Sequence, residues 1–227
     1  MNNVDFTIYR EGPTKYKIVF SSYSEPLIKS IVQSKQIDDI SVYKDYRTIE
    51  FTATSVQTYT EFRDGGDLFD LNGVKRMSYE ATLRLTSSLA TQLKYLFEKQ
   101  SSCFYLLNTD NLIVIDGNKF VYMSNEHLAK LTPDGNAMFI IQPFSCRTNF
   151  VSPELRRITC IPAKVDYRSI YYSLGSLALH CLSGNDCLSE NFDKDDAVLG
   201  ELKGTKLYAM LRRCLAEDPC ERSILFI

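Results

Sequence analysis

The spacing of apolar residues changes once along this chain, and that change restricts the fold more than any other feature. Before residue 63 the spacing is that of half-buried strands, as where Tyr16, Ile18 and Phe20 occupy every second position. After residue 67 apolar residues recur every three or four positions, as on amphipathic helices. Residues 63–67 (RDGGD) interrupt the apolar segments with charges and paired glycines. We therefore expect an α+β protein with a connector at 63–67.

The first part predicts a small sheet with one helix. Residues 6–9 lead through a turn at 11–14 into the alternating segment, which predicts a hairpin. Ser24 is expected to cap a helix with Pro26 in its first turn. The apolar stripe of that helix consists of Leu27, Ile28, Ile31 and Val32. Two further β-rich runs are expected, at residues 40–46 and 49–62.

The second part predicts mainly helices. A long amphipathic helix is expected over 78–99, a buried one over 169–182, and another amphipathic one over 207–215. Between the first two, apolar strands at 112–115 and 120–123 flank Asp116-Gly117-Asn118, a strong hairpin turn signal.

Charge, cysteine and hydropathy patterns exclude several classes. The 26 Lys+Arg and 28 Asp+Glu give a net charge of -2, without the basic excess of nucleic-acid binders. The seven cysteines include no C-x-x-C pair, which disfavours a zinc site and a disulfide framework. The start of the sequence lacks the apolar core of a signal peptide, and the longest aliphatic run, at 112–115, is far too short to span a membrane. We expect a protein of the cytoplasm or another intracellular compartment with reduced thiols.

Four short motifs, taken in order, resemble those of eukaryotic-type protein kinases. Residues 60–69 (TEFRDGGDLF) resemble the hinge, 152–155 (SPEL) the A-P-E motif, 173–175 (SLG) the central helix, and 214–222 (CLAEDPCER) the closing C-L-x-x-D-P-x-x-R motif. Each is weak alone, but their order and separations are specific, and the match covers most of the chain. The resemblance implies a protein-kinase-like two-lobe fold. Its reduced β-rich N-lobe would be 1–62, its hinge 63–67 and its α-helical C-lobe 68–227.

The resemblance assigns structural roles to three residues. In the family the A-P-E glutamate pairs with the late arginine, and these positions are Glu154 and Arg222 here. A bidentate pair would pin the activation segment to the helical lobe, whereas the alternative is two unrelated surface charges. Gly175 stands where the central helix of the fold needs glycine.

The parts needed to bind ATP phosphates are altered. Only Gly12 precedes Gly65, so the first hairpin cannot form a glycine-rich phosphate loop. Ser21 stands at the position of the strand lysine. Lys17, on the same strand face, is either a substitute or an exposed surface lysine. Lys29 lies near the position of the helix glutamate, with Glu25 a turn away, so the activating ion pair is not evident.

The catalytic and metal-binding parts are altered too. Two alignment registers put either Leu106 or Tyr105 at the catalytic aspartate, and residues 103–108 contain no acid or base to accept a proton. Asp110 is close in sequence but is expected to face away. Asn125 replaces the metal-binding aspartate, and a neutral amide is a poorer Mg²⁺ ligand.

The remaining positions are vestigial or have lost their role. Thr60, at the gatekeeper position, is followed by Glu61 and Phe62 in a vestigial hinge, and Asn111 is a vestige of the catalytic loop. Ile170 replaces an aspartate that braces this loop in the family.

These losses predict a pseudokinase without catalytic residues, cofactor or metal, with weak or absent ATP binding. It would act through protein partners as a scaffold, structural component or allosteric regulator, and would bind neither nucleic acid nor membrane. One alternative is an atypical Ser/Thr protein kinase that uses Lys17, Asp110 and Asn125. Another is a kinase-lobe-like module that recognises peptides.

Overall fold

The computed structural model describes residues 4–35, 37–65, 69–71, 74–145, 150–184 and 202–224, with the backbone alone considered at 69–71, 74 and 75. Small antiparallel sheets and helices are combined in it, which confirms the predicted α+β class. The lobe boundaries at 62 and 68 stay a prediction, and Gly66 and Asp67 of the expected connector lie outside the described residues.

The first sheet contains the predicted hairpin. Strands β1 (Phe6–Arg10) and β2 (Lys15–Phe20) pair antiparallel, and β4 (Thr48–Thr52) and β3 (Ser41–Val42) complete the order β1-β2-β4-β3. Helix α1 (Glu25–Gln33) follows β2 and buries Leu27, Ile28 and Ile31, as its apolar stripe predicts. These three side chains are fully buried and belong to the main hydrophobic core.

Two predicted β-rich runs are wrong in part. The run at 40–46 contains only the short β3, because the chain turns at Tyr46, whose φ of 48° lies in the left-handed region. The run at 49–62 contains β4 and β5 (Val56–Thr58) but then becomes helix α2 (Tyr59–Gly65). The cause is a capping box: Thr58 N and Oγ1 donate to the Glu61 carboxylate, and Glu61 N donates to Thr58 Oγ1.

The long predicted helix is present as α3 (Tyr79–Gln100), preceded by a short hairpin of β6 (Phe69–Leu71) and β7 (Val74–Arg76). Ser78 caps α3, because its Oγ accepts a hydrogen bond from Ala81 N. Leu85, Leu89, Leu93 and Leu96 are buried along one face of the helix.

The predicted second hairpin is confirmed as β9 (Leu112–Ile115) and β10 (Lys119–Tyr122), with β5 added on the other side of β9. Asp116 and Gly117 both have positive φ, of 52° and 70°, as the tight turn requires. Asp116 Oδ1 accepts from Thr54 N, Thr54 Oγ1 and Ser55 N, which fastens the turn to the segment before β5.

Besides α2, β6 and β7, four short strands and one short helix were not anticipated from the sequence. They are β8 (Ser102–Phe104), β11 (Leu128–Lys130), β12 (Ala137–Ile140), α4 (Pro153–Arg156) and β13 (Ala163–Asp166). β11 pairs with β8, β12 pairs with β13, and a bridge between Leu131 and Met138 joins the two pairs.

Helices α5 (Ser169–Ser183) and α6 (Lys206–Cys214) confirm the last two predicted helices, and a 3-10 turn follows at Pro219–Glu221. Ile170 is fully buried in α5. A Cβ on Gly175 would lie 2.7 Å from Cys214 Cβ, so only glycine lets α5 and α6 approach this closely. One buried cluster extends from Phe6 to Cys181, and a smaller one lies between α5 and α6.

Candidate functional site

Three segments meet where the kinase resemblance would locate catalysis. They are residues 21–24 after β2, residues 105–111 between β8 and β9, and residues 123–127 after β10. The last two meet because Tyr105 N donates to His127 O at 3.0 Å and Met123 N donates to Asn111 O at 2.8 Å. The β8–β11 and β9–β10 pairings therefore hold both segments in register.

Asn125, at the metal-binding position, is bound on several sides by protein groups. Its Oδ1 accepts from Ser24 Oγ at 2.8 Å, and its Nδ2 donates to Ser22 Oγ at 3.0 Å and Tyr23 O at 3.2 Å. Ser24 precedes α1 as predicted, but its hydroxyl binds Asn125 instead of capping the helix. The amide therefore ties β10–β11 to the start of α1.

Asp5 is the central residue of this site that sequence reasoning missed. Its Oδ2 accepts from Asn125 N at 2.7 Å and Glu126 N at 3.2 Å, and its carbonyl accepts from Ser21 N and Ser21 Oγ. Two successive amides aimed at one oxygen form an anion-binding nest, and the Asp5 carboxylate occupies it. No local pattern marks Asp5, because its partners lie up to 121 residues away.

The environment of Asp5 disfavours its charge. Burial raises the pKa of Asp5, although the hydrogen bonds from Asn125 and Glu126 act in the opposite direction. Its Oδ1 is buried without a hydrogen-bond partner.

The lysine candidates are not directed at this site. Ser21, at the lysine position, donates its hydroxyl to Asp5 O at 3.1 Å. Lys17 Nζ instead lies 3.4 Å from Glu50 Oε1 and 3.7 Å from Glu11 Oε1, on the solvent side of the sheet. Lys29 pairs with Glu25 at 2.6 Å within α1. The structure thus does not bring Lys17 to Asn125.

The two candidate aspartate positions are part of the core. Tyr105 and Leu106 are both buried, and Tyr105 Oη donates to Glu126 O at 3.2 Å. Burial raises the pKa of Tyr105 to about 12, so its phenol stays protonated near neutral pH and does not accept a proton. Asp110 is half-buried in the turn before β9.

A second buried network lies beside Tyr105. Tyr122 Oη is 2.6 Å from His127 Nδ1 and accepts from Asn108 N, while Asn108 Oδ1 accepts from Asn111 N and Nδ2. Burial lowers the pKa of His127 to about 4 and raises the pKa of Tyr122 well above its usual value. The His127 imidazole is therefore neutral, and its tautomer decides whether Nδ1 donates to or accepts from Tyr122 Oη. Asn111 Oδ1 is buried without a hydrogen-bond partner.

Gln92 connects this network to two helices. From within the apolar face of α3, its Oε1 accepts from Tyr122 N at 3.1 Å and its Nε2 donates to Tyr122 O at 2.9 Å. Nε2 also lies 3.2 Å from Ser30 Oγ of α1. A polar residue inside an apolar stripe was the signal in the sequence that could have identified Gln92.

The residues expected to form a vestigial hinge lie in a helix. Thr60, Glu61 and Phe62 do not form an extended connector; they lie in the first turns of α2, behind the capping box at Thr58. Thr60 and Glu61 are exposed, and the Phe62 ring meets the edge of Phe120 with centroids 6.0 Å apart. The side chain of Thr60 is therefore exposed to solvent, and its assignment as a gatekeeper stays a prediction.

The structure brings Glu154 and Arg222 together. Arg222 Nη1 and Nη2 donate to the two Glu154 oxygens at 2.9 and 2.8 Å, and the Arg222 side chain is 0% exposed. Its remaining donors reach Ala216 O and Glu217 O, and the guanidinium lies 5.1 Å from the centre of the Tyr172 ring. Burial alone would raise the pKa of Glu154, but Arg222 outweighs it and the pKa lies below the usual value.

Comparisons with known proteins give no family: no protein-family model matches the chain, and no curated protein matches it in sequence. Within the described ranges, His, Cys, Asp and Glu side chains do not gather in the groups of three that could hold a metal ion. In the same part of the chain no helix combines the length and apolar character needed to cross a bilayer.

Replacement of Glu154 by Gln should destabilise the protein, because it leaves the buried Arg222 guanidinium uncompensated. We expect a loss of about 3 kcal/mol in the free energy of unfolding, measured by urea denaturation at pH 7. The wild type should lose this contribution as the pH falls below 4.5, through the lowered pKa of Glu154, whereas the variant lacks it throughout. Glu221→Gln, at an exposed neighbour of Arg222, is the control, and an equal effect there would contradict the assignment.

Protonation of His127 should destabilise the fold. Its folded pKa of about 4 lies below the ordinary 6.5, so the folded state binds fewer protons, and stability should fall as the pH drops from 6.5 to 4. The full loss in the free energy of unfolding is about 3 kcal/mol. His127→Gln keeps a hydrogen-bonding group for Tyr122 and should remove this slope from unfolding free energies measured against pH, while His180→Gln should retain it. An unchanged slope in His127→Gln would refute the assignment.

Proposed function

We propose that this chain is a catalytically inactive protein-kinase-like domain, a pseudokinase, that acts by binding other proteins as a scaffold, structural component or allosteric regulator. The element order supports the proposal: a hairpin and one helix in a small sheet, then α3, a second hairpin, α5 and α6. The pair of Glu154 and Arg222 supports it too, because it joins the two motifs that carry the resemblance.

The proposal that the domain is inactive rests on one observation. The polar groups at the proposed metal position are already hydrogen-bonded to other groups of the protein. Asn125 binds Ser22, Tyr23 and Ser24 through its side chain, and Asp5 occupies the amides of Asn125 and Glu126. A bound metal and phosphate would have to displace these bonds. Breaking the bonds of Asp5 and Ser24 would leave buried polar groups that must be paired again, so ATP would bind at a net cost.

An alternative atypical kinase has less support. It would need Lys17 to hold phosphates, yet Lys17 is paired with Glu11 and Glu50 and lies 5.4 Å from the centre of the exposed Tyr43 ring. It would also need a general base near the reacting hydroxyl. The two candidate aspartate positions hold Tyr105, whose phenol is protonated, and Leu106, whose side chain is an alkyl group.

A surface of the sheet formed by β12 and β13 supports a role in protein binding. Phe139 of β12 is 44% exposed and Ile141, directly after this strand, is 69% exposed, and the strand pairing sets Lys164 opposite Phe139. The bridge between Leu131 and Met138 places Lys130 beside Phe139 on the other strand. We call this surface, made of Lys130, Phe139, Ile141, Pro162 and Lys164, the Phe139 face.

The chemistry of the Phe139 face defines the partner it fits. Exposed aromatic and aliphatic side chains bind apolar groups, and the two flanking lysines attract carboxylates. A partner segment that carries an aromatic or aliphatic residue between Asp or Glu residues would match both features.

Restoring the metal-binding carboxylate should not restore an enzyme. Asn125→Asp removes the donors to Ser22 and Tyr23 and places a second carboxylate next to Asp5. We expect a melting temperature lower by about 5 °C, measured by differential scanning calorimetry. The wild type and Asn125→Asp should both lack saturable binding of ATP with Mg²⁺ up to about 1 mM, and both should lack transfer of radiolabelled phosphate.

The matched control is Asn118→Asp, which makes the same charge change in the exposed turn between β9 and β10 and should leave the melting temperature unchanged. Saturable ATP binding by the wild type, or phosphate transfer by Asn125→Asp, would contradict the inactive site.

The Phe139 face should select acidic peptides. From a random peptide library displayed on phage, the immobilised full chain should enrich sequences with an aromatic or aliphatic residue flanked by Asp or Glu. Synthetic copies should bind Lys130→Glu/Lys164→Glu and Phe139→Ser at least about tenfold more weakly, measured by calorimetry. Lys15→Glu/Lys99→Glu carries the same charge change on other exposed surfaces and should bind normally. Enriched peptides that bind all variants equally would contradict the role of this face.

A further inference from the structure

A cavity of about 270 Å³ lies on the far side of α3 from α1 and β10, and none of the residues discussed above lines it apart from Leu93 and Cys103. Its walls come from α3, β8, the start of α5 and Ile224 beyond the 3-10 turn. Ala90 and Cys103, which are nearly inaccessible, form the inner end, and the half-exposed side chains of Lys94 and Glu98 stand at the opening.

The side walls are aromatic and held in place by contacts with each other. The rings of Phe97 and Tyr167 have centroids 4.7 Å apart, and Tyr171 meets Tyr167 edge-on at 5.8 Å. Arg168 lies over the Tyr167 ring at 5.3 Å. These contacts fix the positions of the rings along the wall, so the cavity is preformed.

The inner end of the cavity offers no charge. Burial raises the pKa of Cys103 to about 12, so its side chain is an uncharged thiol near neutral pH. Protein interiors are packed to the density of organic crystals, so a cavity of this volume is an uncommon feature. Aromatic walls and an uncharged inner end favour an uncharged aromatic ligand.

We propose that this cavity is a binding site for a small uncharged aromatic molecule of about two fused rings. An engineered apolar cavity of roughly 150 Å³ in another protein binds benzene, and the present one is nearly twice as large. A bicyclic compound therefore fits, with its ring edges against Phe97, Tyr167 and Tyr171 and its inner end at Ala90 and Cys103. The site is independent of the proposed pseudokinase function.

The test is a titration of the full chain with 5-fluoroindole, followed by ¹⁹F NMR. We expect saturable binding with a Kd of about 1 mM or tighter, as the size of the probe allows. Ala90→Leu fills the inner end and should weaken binding at least about tenfold. Ser87→Leu adds the same side chain at an exposed position of α3 outside the cavity lining and should bind as the wild type does. Failure to saturate, or equal binding by Ala90→Leu, would overturn the proposal.

If circular dichroism shows that Ala90→Leu is misfolded, a second variant takes its place in the test. Ile224→Ala widens the cavity from another wall. We expect it to favour a larger probe, 4-(4-fluorophenyl)phenol, so that the ratio of its affinity to that of 5-fluoroindole rises about tenfold over the wild type. An unchanged ratio would place the probes elsewhere and overturn the assignment.

Discussion

The hydrogen bonds between Asp5 and the amides of Asn125 and Glu126 hold together parts of the chain that share no strand ladder. Asp5 precedes β1, whereas Asn125 follows β10, and Asn125 also reaches Ser24 at the start of α1. The first sheet and α1 are thereby fixed against the hairpin of β9 and β10. Gln92 makes the corresponding connection from α3 through Tyr122 and Ser30. The geometry of the candidate site follows from these buried polar contacts as much as from the apolar core.

The ionisable groups at this site share an electrostatic property. The pKa values of Tyr105 and Tyr122 are raised and the pKa of His127 is lowered, so burial favours the uncharged form of all three. Asp5 is shifted in the same sense. Sites that hold a metal and a triphosphate contain compensating charges, whereas here the surroundings stabilise neutral groups. This electrostatic property supports the proposal of an inactive site.

Sequence patterns predicted the elements whose signals are local. The periodicities of α1, α3 and α5 and the turn at Asp116 and Gly117 each act within a few residues, so these elements could be identified without knowledge of the fold. Helix α2 was missed although its capping box, Thr58 to Glu61, is also local. Strands β11, β12 and β13 are only three or four residues long and exist because of distant partners. The position of Asn125 could be predicted, but its bonds to Asp5 could not, because only the folded chain brings them together.

The pair of Glu154 and Arg222 also determines how late in synthesis the fold can be completed. The two residues are separated by 68 positions, and the carbonyls that complete the shell of Arg222 belong to Ala216 and Glu217. During synthesis Glu154 therefore leaves the ribosome well before its counterion, and α4 lacks its anchor until residues up to 222 have emerged. A chain paused in this interval would have most of its apolar core available, while α4 would still lack the ion pair that joins it to Arg222.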